Sequence, residues 1–320
     1  MMYKSIIKRC ASLVAALLFS SPIMAQIEYE VDRTVKESRI GIIRNTLLTI
    51  DDDAKAIINR PLKNPNLSAN GVKLFAMIVT DYQTTKFFQE NVEPLDRYIT
   101  PYLSFPSILN QTSFLRKATG GPDGYIYFGF SAMYGAGLLT GNEKLQEASV
   151  LTTKAVIESY VVSHLILKSI VGRHRPRRPL GEVGGSDRES SFPFVDNHLD
   201  FFNWHLNILG SKAYGTGFPS YHATMYFAVA SVTSRVFDNY WIPHAAMTLL
   251  WCYNIEGHNH WVSEVVAGAV IGEFIGKVVY ENYHERRSHS KTLKKKRKFT
   301  TQMGIGQNFG VIGPTLAVRW

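Results

Sequence analysis

The stretch that decides the fold is "KSIVGRHRP", residues 168–176, because it closes a long apolar pattern and precedes a polar loop. Ahead of it, residues 147–173 carry apolar side chains at a spacing near 3.6, which predicts one long helix. Pro176 and Pro179 cannot continue a helix, so we expect the helix to end here. The loop that follows is rich in glycine, serine and acidic residues, and its length is typical of a functional loop.

Helical patterns continue on both sides of this loop. They cover residues 72–99, 125–141, 221–237, 241–255 and 261–280. The last residues, 299–320, alternate instead like strands, and we expect them to form a short β-hairpin. The sequence therefore predicts an all-α bundle with a C-terminal hairpin.

Composition narrows the class of protein. The 320 residues suit one large domain or two small ones, and the hydrophobic content of 45% is enough for a sizeable core. The net charge of +9 favours anionic partners, which are phosphorylated substrates or an anionic membrane surface. We expect no nucleic-acid partner, because no nucleic-acid-binding signature is visible. The oligomeric state is left open.

The N-terminus has the pattern of a secretory signal peptide. A positively charged start precedes an apolar run, and Ala25 offers a cleavage point. A membrane anchor is the alternative, although the apolar run is short for a membrane span. We expect an exported, periplasmic protein that is either soluble or associated with the membrane, and an integral membrane protein is the alternative. Its one mature cysteine, Cys252, allows no internal disulfide.

The chain divides by composition into four parts. Residues 1–25 are the signal peptide, 26–119 a helical region packing on the core, 120–284 the core itself, and 285–320 a basic segment with the C-terminal tail. The basic run at 285–298 is either a solvated linker or a contact with anionic lipid.

Three stretches carry candidate chemistry, and the first is 168–176. On a helix, Lys168 and Arg175 are two turns apart and would point the same way, forming an anion site. A solvated basic face is the alternative. In the second stretch, "FPSYHAT" at 218–224, Ser220 marks a helix start whose free N–H groups can bind phosphate, with His222 beside them. The alternative for this second stretch is a serine that only caps the helix and a histidine that is only partly exposed.

The third stretch is "HNHWVSEV", residues 258–265. His260 and Glu264 are four apart, and a carboxylate next to an imidazole fixes its tautomer and raises its basicity. A buried structural pair is one alternative. A metal site of His258, His260 and Glu264 is another.

The order and spacing of these stretches resemble the type-2 phosphatidic acid phosphatase (PAP2) superfamily. It includes class A acid phosphatases, lipid phosphatases and vanadium haloperoxidases, and its pattern is K-x6-R-P, P-S-G-H and S-R-x5-H-x3-D. Here "KSIVGRHRP" matches fully, "PSYH" matches except at Tyr221, and "YNIEGHNHWVSE" keeps the histidine with Glu264 in place of aspartate. The resemblance covers residues 120–282.

The resemblance implies a metal-free phosphohydrolase with no cofactor, acting on a phosphorylated small molecule or lipid. His260 would attack phosphorus and form a phosphohistidine, with Glu264 holding its other nitrogen and His222 protonating the leaving group. The non-bridging oxygens of the phosphoryl group would be bound by Lys168, Arg175, Ser220, the backbone N–H of Tyr221, and Asn254.

Two departures from the pattern bear on activity. Tyr221 replaces a glycine and would cost about 1–2 kcal/mol if that position needed a positive φ. Tyr253-Asn254 replaces Ser-Arg, and losing one charged hydrogen bond costs roughly 1.5–3 kcal/mol unless Arg173, Arg177 or Lys212 substitutes. A relative that binds a phosphorylated lipid or glycan without turnover is therefore the alternative function.

Overall fold

The computed structural model describes residues 39–95, 121–181, 194–204, 216–252, 259–296, 300–308 and 311–319. The predicted signal peptide at 1–25 and Asn254 lie outside these residues. Within them the chain is helical except for loops and one C-terminal hairpin, so the all-α prediction is confirmed.

Four helices form the N-terminal part of the described chain: α1 Arg39–Leu47, α2 Ile50–Leu62, α3 Leu67–Val79 and α4 Asp81–Asn91. Five more follow: α5 Gly121–Thr140, α6 Glu143–Val171, α7 Tyr221–Phe237, α8 Trp241–Cys252 and α9 Val262–Lys296. The hairpin pairs β1 Thr300–Asn308 with β2 Val311–Arg319 in antiparallel register.

Helices α7 and α9 pack unusually close together because α9 carries a glycine every fourth residue. These are Gly268, Gly272 and Gly276, and they face the backbone of α7. A Cβ at Gly272 would lie 2.1 Å from the carbonyl oxygen of Thr224, so any larger side chain would push the helices apart. This contact fixes the start of α7 against the start of α9, where the candidate site residues lie.

The core has two apolar clusters on either side of this helix pair. One joins α6, α7 and α9 through Leu151, Val232 and Ile275, all fully buried. The other joins α5, α7 and α8 through Phe130, Met225 and Trp251. Each fully buried aliphatic side chain contributes about 1.5–3 kcal/mol of transfer free energy, so the clusters hold the helices that carry the site.

Helix α6 differs from the sequence expectation at its C-terminal end. Residues Tyr160–Leu167 form a π-helical segment, a conformation that often occurs at functional sites. The helix then ends at Val171, because Gly172 adopts a left-handed conformation with φ 53° and has no room for a Cβ beside Asn203. The predicted end at Arg173 was therefore two residues late.

Among the described residues one helix, α6, is long and apolar enough to cross a membrane by length and composition. In its most apolar window, 39% of the residues are buried inside the protein. A core helix of a soluble protein passes the same criterion, so this observation is weak support for a membrane span.

The N-terminal helices pack on the core, and charged residues contribute to that contact. Ile42 of α1 joins the first apolar cluster and is 1% exposed. Asp53 of α2 is fully buried, accepts a hydrogen bond from Asn282 at 2.6 Å and pairs with Lys154. The four-part division of the chain stays a prediction. Residues 285–296, predicted as a linker or a lipid contact, continue α9.

Candidate active site

His260 lies just before α9, at a turn that Asn259 makes with a positive φ of 42°. Its Nδ1 is 2.7 Å from Oε2 of Glu264, as predicted, and the backbone N–H of Trp261 donates to the same oxygen at 3.3 Å. The prediction placed both residues on a helix, but only Glu264 is helical. The contact forms because a glutamate in a first helical turn reaches back to the residues that precede the helix.

This imidazole–carboxylate pair is almost completely buried. The His260 side chain is 4% exposed and that of Glu264 is 0% exposed. Burial raises the pKa of Glu264 to about 8, although the positive charges of Arg173, Arg175 and Lys168 act to lower it. The carboxyl group therefore titrates near neutral pH instead of near its ordinary value of 4.5.

Gly217 makes room for this carboxyl group, and it was not among the predicted site residues. A Cβ at this position would lie 2.1 Å from Oε2 of Glu264. Only glycine leaves space for the close approach of backbone and carboxylate. The signal that could have found Gly217 is its place three residues before Ser220, directly ahead of the second candidate stretch.

Three hydrogen bonds join the three candidate stretches directly. The backbone N–H of Ser220 donates to the carbonyl oxygen of Glu264 at 3.0 Å, and that of Gly217 to Arg173 at 2.8 Å. The Trp261 indole donates to the carbonyl oxygen of His174 at 2.9 Å. Residues 173–176, 217–220 and 260–264 therefore form one connected site.

Arg175 reaches the site by a route different from the one that the spacing suggested. The helix ends before it, and the residues after Gly172 are extended between Val195 on one side and Thr216 on the other. The expectation that Arg175 and Lys168 share a helical face was wrong, because the left-handed Gly172 redirects the chain. Arg175 nevertheless points at His260, with its Nη1 3.5 Å from the imidazole Nε2.

Lys168 lies on the last turn of α6 and is 3% exposed. Its pKa is lowered to about 7, first by burial and then by the charge of Arg175, while the charge of Glu264 opposes this shift. An anion bound beside this amine would restore its proton, because an opposite charge stabilises the ammonium form.

Ser220, Tyr221 and His222 form the start of α7, as predicted. Ser220 is fully buried, and its hydroxyl oxygen accepts a hydrogen bond from the N–H of Ala223 at 3.5 Å. Tyr221 is the first helical residue, so its φ is negative and the expected strain is absent. Burial raises the pKa of the Tyr221 hydroxyl, which therefore stays neutral.

His222 has a carboxylate partner that sequence reasoning missed. Its Nε2 is 3.2 Å from Oδ2 of Asp123, which lies in the first turn of α5. The other oxygen of Asp123 accepts a hydrogen bond from the Tyr226 hydroxyl at 2.7 Å. No local pattern connects Asp123 with His222, because they are 99 positions apart. The two side chains are 34% and 28% exposed, so this pair has contact with solvent.

His164 lines the same site and was also missed. Its pKa is lowered to about 4, first by burial and then by the positive charges of Lys168, Arg175 and His222, so it is neutral at physiological pH. Its ring stacks on Tyr160 at 4.9 Å and meets Tyr221 edge-on at 5.5 Å. His164 is one turn before Lys168 in the sequence, which is the signal that could have found it.

The candidate replacements for the missing arginine divide into two groups. Arg173 is fully buried and bonded to Asp81 and Ser263, and Arg177 lies 3.7 Å from Asp196. Arg173 is therefore held by other partners, whereas the side chain of Arg177 is 27% exposed and its role as a substitute stays a prediction. Lys212 and Asn254 lie outside the described residues, as does His258 of the metal alternative. Among the described residues, no group of three or more His, Cys, Asp and Glu side chains could hold a metal ion.

Comparison with known proteins finds one matching family and a distant relative. Residues 148–288 match the family model described as the PAP2 superfamily. The lipid A 4'-phosphatase of Porphyromonas gingivalis is 30% identical over 95 residues, which are 29% of this chain and 40% of the relative. The match thus spans less than half of that relative. No solved structure matches this chain at a significant level.

Proposed function

Because residues 148–288 of this chain belong to the PAP2 superfamily, we propose that it is a metal-free phosphatase that releases phosphate from a phosphorylated lipid through a phosphohistidine. The observation that carries the proposal is the orientation of His260. Its Nδ1 faces the Glu264 carboxylate at 2.7 Å, and its Nε2 faces Arg175 at 3.5 Å. With Nδ1–H donating to ionised Glu264, Nε2 is unprotonated and directs its lone pair towards the cationic side chain of Arg175.

In the first step, Nε2 of His260 attacks phosphorus while the bond from phosphorus to the ester oxygen breaks. His222 donates a proton to the departing alkoxide, and the positive charge that develops on His260 is stabilised by Glu264. The two histidines are held by different carboxylates, so one donates an electron pair while the other donates a proton.

The phosphoryl oxygens are bound by groups that converge near His260. Lys168 and Arg175 supply positive charge, and the Ser220 hydroxyl can still donate because Ala223 uses only its oxygen. The N–H of Tyr221 points out of the first turn of α7 towards the same anion. Positioning and charge neutralisation dominate phosphoryl transfer, so this set suffices chemically. Asn254 remains a proposed member of the set.

In the second step, His222 accepts a proton from water, and that water attacks the phosphohistidine. The bond from phosphorus to Nε2 breaks, phosphate leaves, and Nε2 of His260 is again unprotonated. The half-exposed position of His222 and Asp123 gives water and protons access to this side of the site.

A lipid substrate is supported by two observations. The Porphyromonas gingivalis relative acts on lipid A by its name. Helix α6, which carries Lys168 and His164, exposes apolar side chains such as Ile157 and Ile170. We propose that this face lies against a membrane and presents the site to a phosphorylated headgroup. Export to the periplasm, membrane contact through the basic tail, and the choice of lipid belong to the same proposal.

A phosphate-release panel tests the proposal. It compares small phosphomonoesters, phosphatidate, a prenyl diphosphate and lipid A, with the wild-type protein and His260→Gln. We expect release from at least one lipid, a loss on the order of 10⁴-fold in the variant, and an acid-labile phosphoenzyme in the wild type alone. Full activity of the variant would disprove the nucleophile. Calorimetric binding of an ester that the wild type never hydrolyses would favour the binding-only alternative.

A further inference from the structure

Helix α4 lies outside the residues that match the family model, yet it contributes a buried carboxylate next to the catalytic pair. Asp81, its first residue, is fully buried. Its Oδ1 accepts the backbone N–H of Ser263 at 2.9 Å, and its Oδ2 accepts both Arg173 at 2.8 Å and the Ser263 hydroxyl. Within the described residues, these side-chain hydrogen bonds of Asp81 go to Arg173 and Ser263, which adjoin Glu264.

Arg173 links this carboxylate to Glu264. One terminal nitrogen donates to Asp81, and the other donates to Ser263 at 2.9 Å and lies 3.9 Å from Oε1 of Glu264. The guanidinium also donates to the carbonyl oxygen of His198 and lies over the Trp261 ring at 5.0 Å. A buried guanidinium group that is held by this many partners keeps one orientation.

The two oxygens of Glu264 have different surroundings as a result. Oε2 accepts from Trp261 and contacts His260, whereas Oε1 accepts no hydrogen bond within the described residues and is 3.9 Å from Arg173. The charge on Arg173 therefore acts on Glu264 directly. Asp81 neutralises part of that charge, because it holds the same guanidinium at hydrogen-bond distance.

We propose that Asp81 is a positioning residue for the phosphatase reaction: through Arg173 and Ser263 it holds Glu264 in place and keeps it a strong hydrogen-bond acceptor for His260. This inference rests on the proposed function. With Asp81 absent, the whole charge of Arg173 acts on Glu264, which then accepts the imidazole proton less strongly, and His260 becomes a weaker nucleophile.

The expected pH effect follows from the charges around Glu264. They are Arg173 and Arg175 in the extended segment, Lys168 on α6, Asp81 on α4, and the His260 partner itself. The cations lower the pKa of Glu264 and Asp81 raises it. Removing the negative charge of Asp81 therefore moves the acidic limb of activity to lower pH.

The test is Asp81→Asn against Asp53→Asn. Asp53 is also fully buried on an N-terminal helix, but it pairs with Lys154 and Asn282, away from the site. We expect Asp81→Asn to move the acidic limb of kcat/KM down by about one pH unit and to lower the plateau kcat about tenfold at unchanged KM. Asp53→Asn should lower the melting temperature about as much as Asp81→Asn does. It should leave the acidic limb of kcat/KM and the plateau kcat unchanged.

A second readout needs no turnover. The ¹⁵N shifts of the His260 ring, titrated in the unliganded protein, should show the same downward shift in Asp81→Asn. If neither the His260 ring titration nor the acidic limb of kcat/KM shifts in Asp81→Asn, the inference is overturned, even if kcat falls. If the wild type showed no phosphatase activity, only the proposed function would be disproved. The ring titration would still test the effect of Asp81 on the pair of Glu264 and His260.

Ser263→Ala covers the case in which Asp81→Asn does not fold. It keeps every charge but removes the hydroxyl that bonds both Asp81 and Arg173. We expect a several-fold fall in kcat with KM unchanged. An unchanged kcat in this variant would contradict a positioning role for the network.

Discussion

The site contains two imidazole–carboxylate pairs that differ chiefly in burial. His260 and Glu264 are 4% and 0% exposed, whereas His222 and Asp123 are 34% and 28% exposed. The first pair lies where the fully packed α7 and α9 begin, and the second lies between the first turns of α5 and α7.

This difference separates two chemical tasks that the same pair of groups could perform. A buried carboxylate has few competing partners, so it fixes one tautomer of its histidine and one direction for its lone pair. A half-exposed pair exchanges protons with water, which suits a group that gives a proton in one step and takes one in the next. Burial thus distinguishes the proposed nucleophile from the proposed acid.

The largest expected difference between the pairs appears when each carboxylate becomes an amide. We expect Glu264→Gln to lower kcat about 10⁴-fold, because an amide N–H facing Nδ1 forces the proton onto Nε2 and removes its lone pair. Steady-state kinetics on the best lipid substrate measures this loss.

Asp123→Asn is the matched control for that variant. We expect a loss of about tenfold only, because water can replace part of a solvent-exposed hydrogen bond. Equal losses in the two variants would contradict the division of tasks by burial.

The next largest effect concerns His222 and the leaving group. We expect His222→Ala to lower kcat/KM for an alkyl phosphomonoester by about 10²–10⁴-fold, the usual contribution of general acid catalysis. With p-nitrophenyl phosphate, whose leaving group departs without a proton, kcat/KM should stay within about tenfold of the wild type. A loss of the same size on both substrates would show that His222 binds phosphate instead of donating a proton.

The smallest effect is a change in the shape of the pH profile. Activity requires ionised Glu264, with a pKa of about 8, so kcat/KM rises towards that pH. It also requires protonated Lys168, with a pKa of about 7 in the empty site, so kcat/KM falls above that pH. Because the required base has the higher pKa, only a small fraction of the free enzyme carries both required forms, and we expect a low bell in kcat/KM that peaks between pH 7 and pH 8.

Lys168→Arg sharpens this prediction because arginine keeps its proton throughout the range. The alkaline limb should disappear, and kcat/KM should keep rising until Glu264 is ionised near pH 8. An alkaline limb that persists in the variant would assign it to a group other than Lys168.

Some site residues were recognisable because their neighbours in the sequence define their position. Ser220 precedes an apolar helical run and caps it, and α7 covers Tyr221–Phe237 as the periodicity predicted. The contact between His260 and Glu264 can be predicted from one short stretch of sequence that contains a helix start. Arg175 was found by its motif, but the reason given for its direction was wrong, because Gly172 ends the helix before it.

Other site residues could not be found from local spacing. Asp123 contacts His222 across 99 positions, and Asp81 contacts Ser263 across 182. Gly217 is needed only because Glu264 from another stretch lies against it. Each depends on which helices pack together, and periodicity reports the face of a helix but not its partner.

Sequence patterns alone predicted the helical class, the start of α7 and the side chains with phosphoryl-transfer chemistry. These follow from backbone and side-chain effects that act within one or two helical turns. The tertiary structure decided which histidine is buried, which carboxylate holds each, and how Arg175 arrives beside His260. Those outcomes depend on desolvation and on contacts between distant segments, which exist only once α7 and α9 have packed.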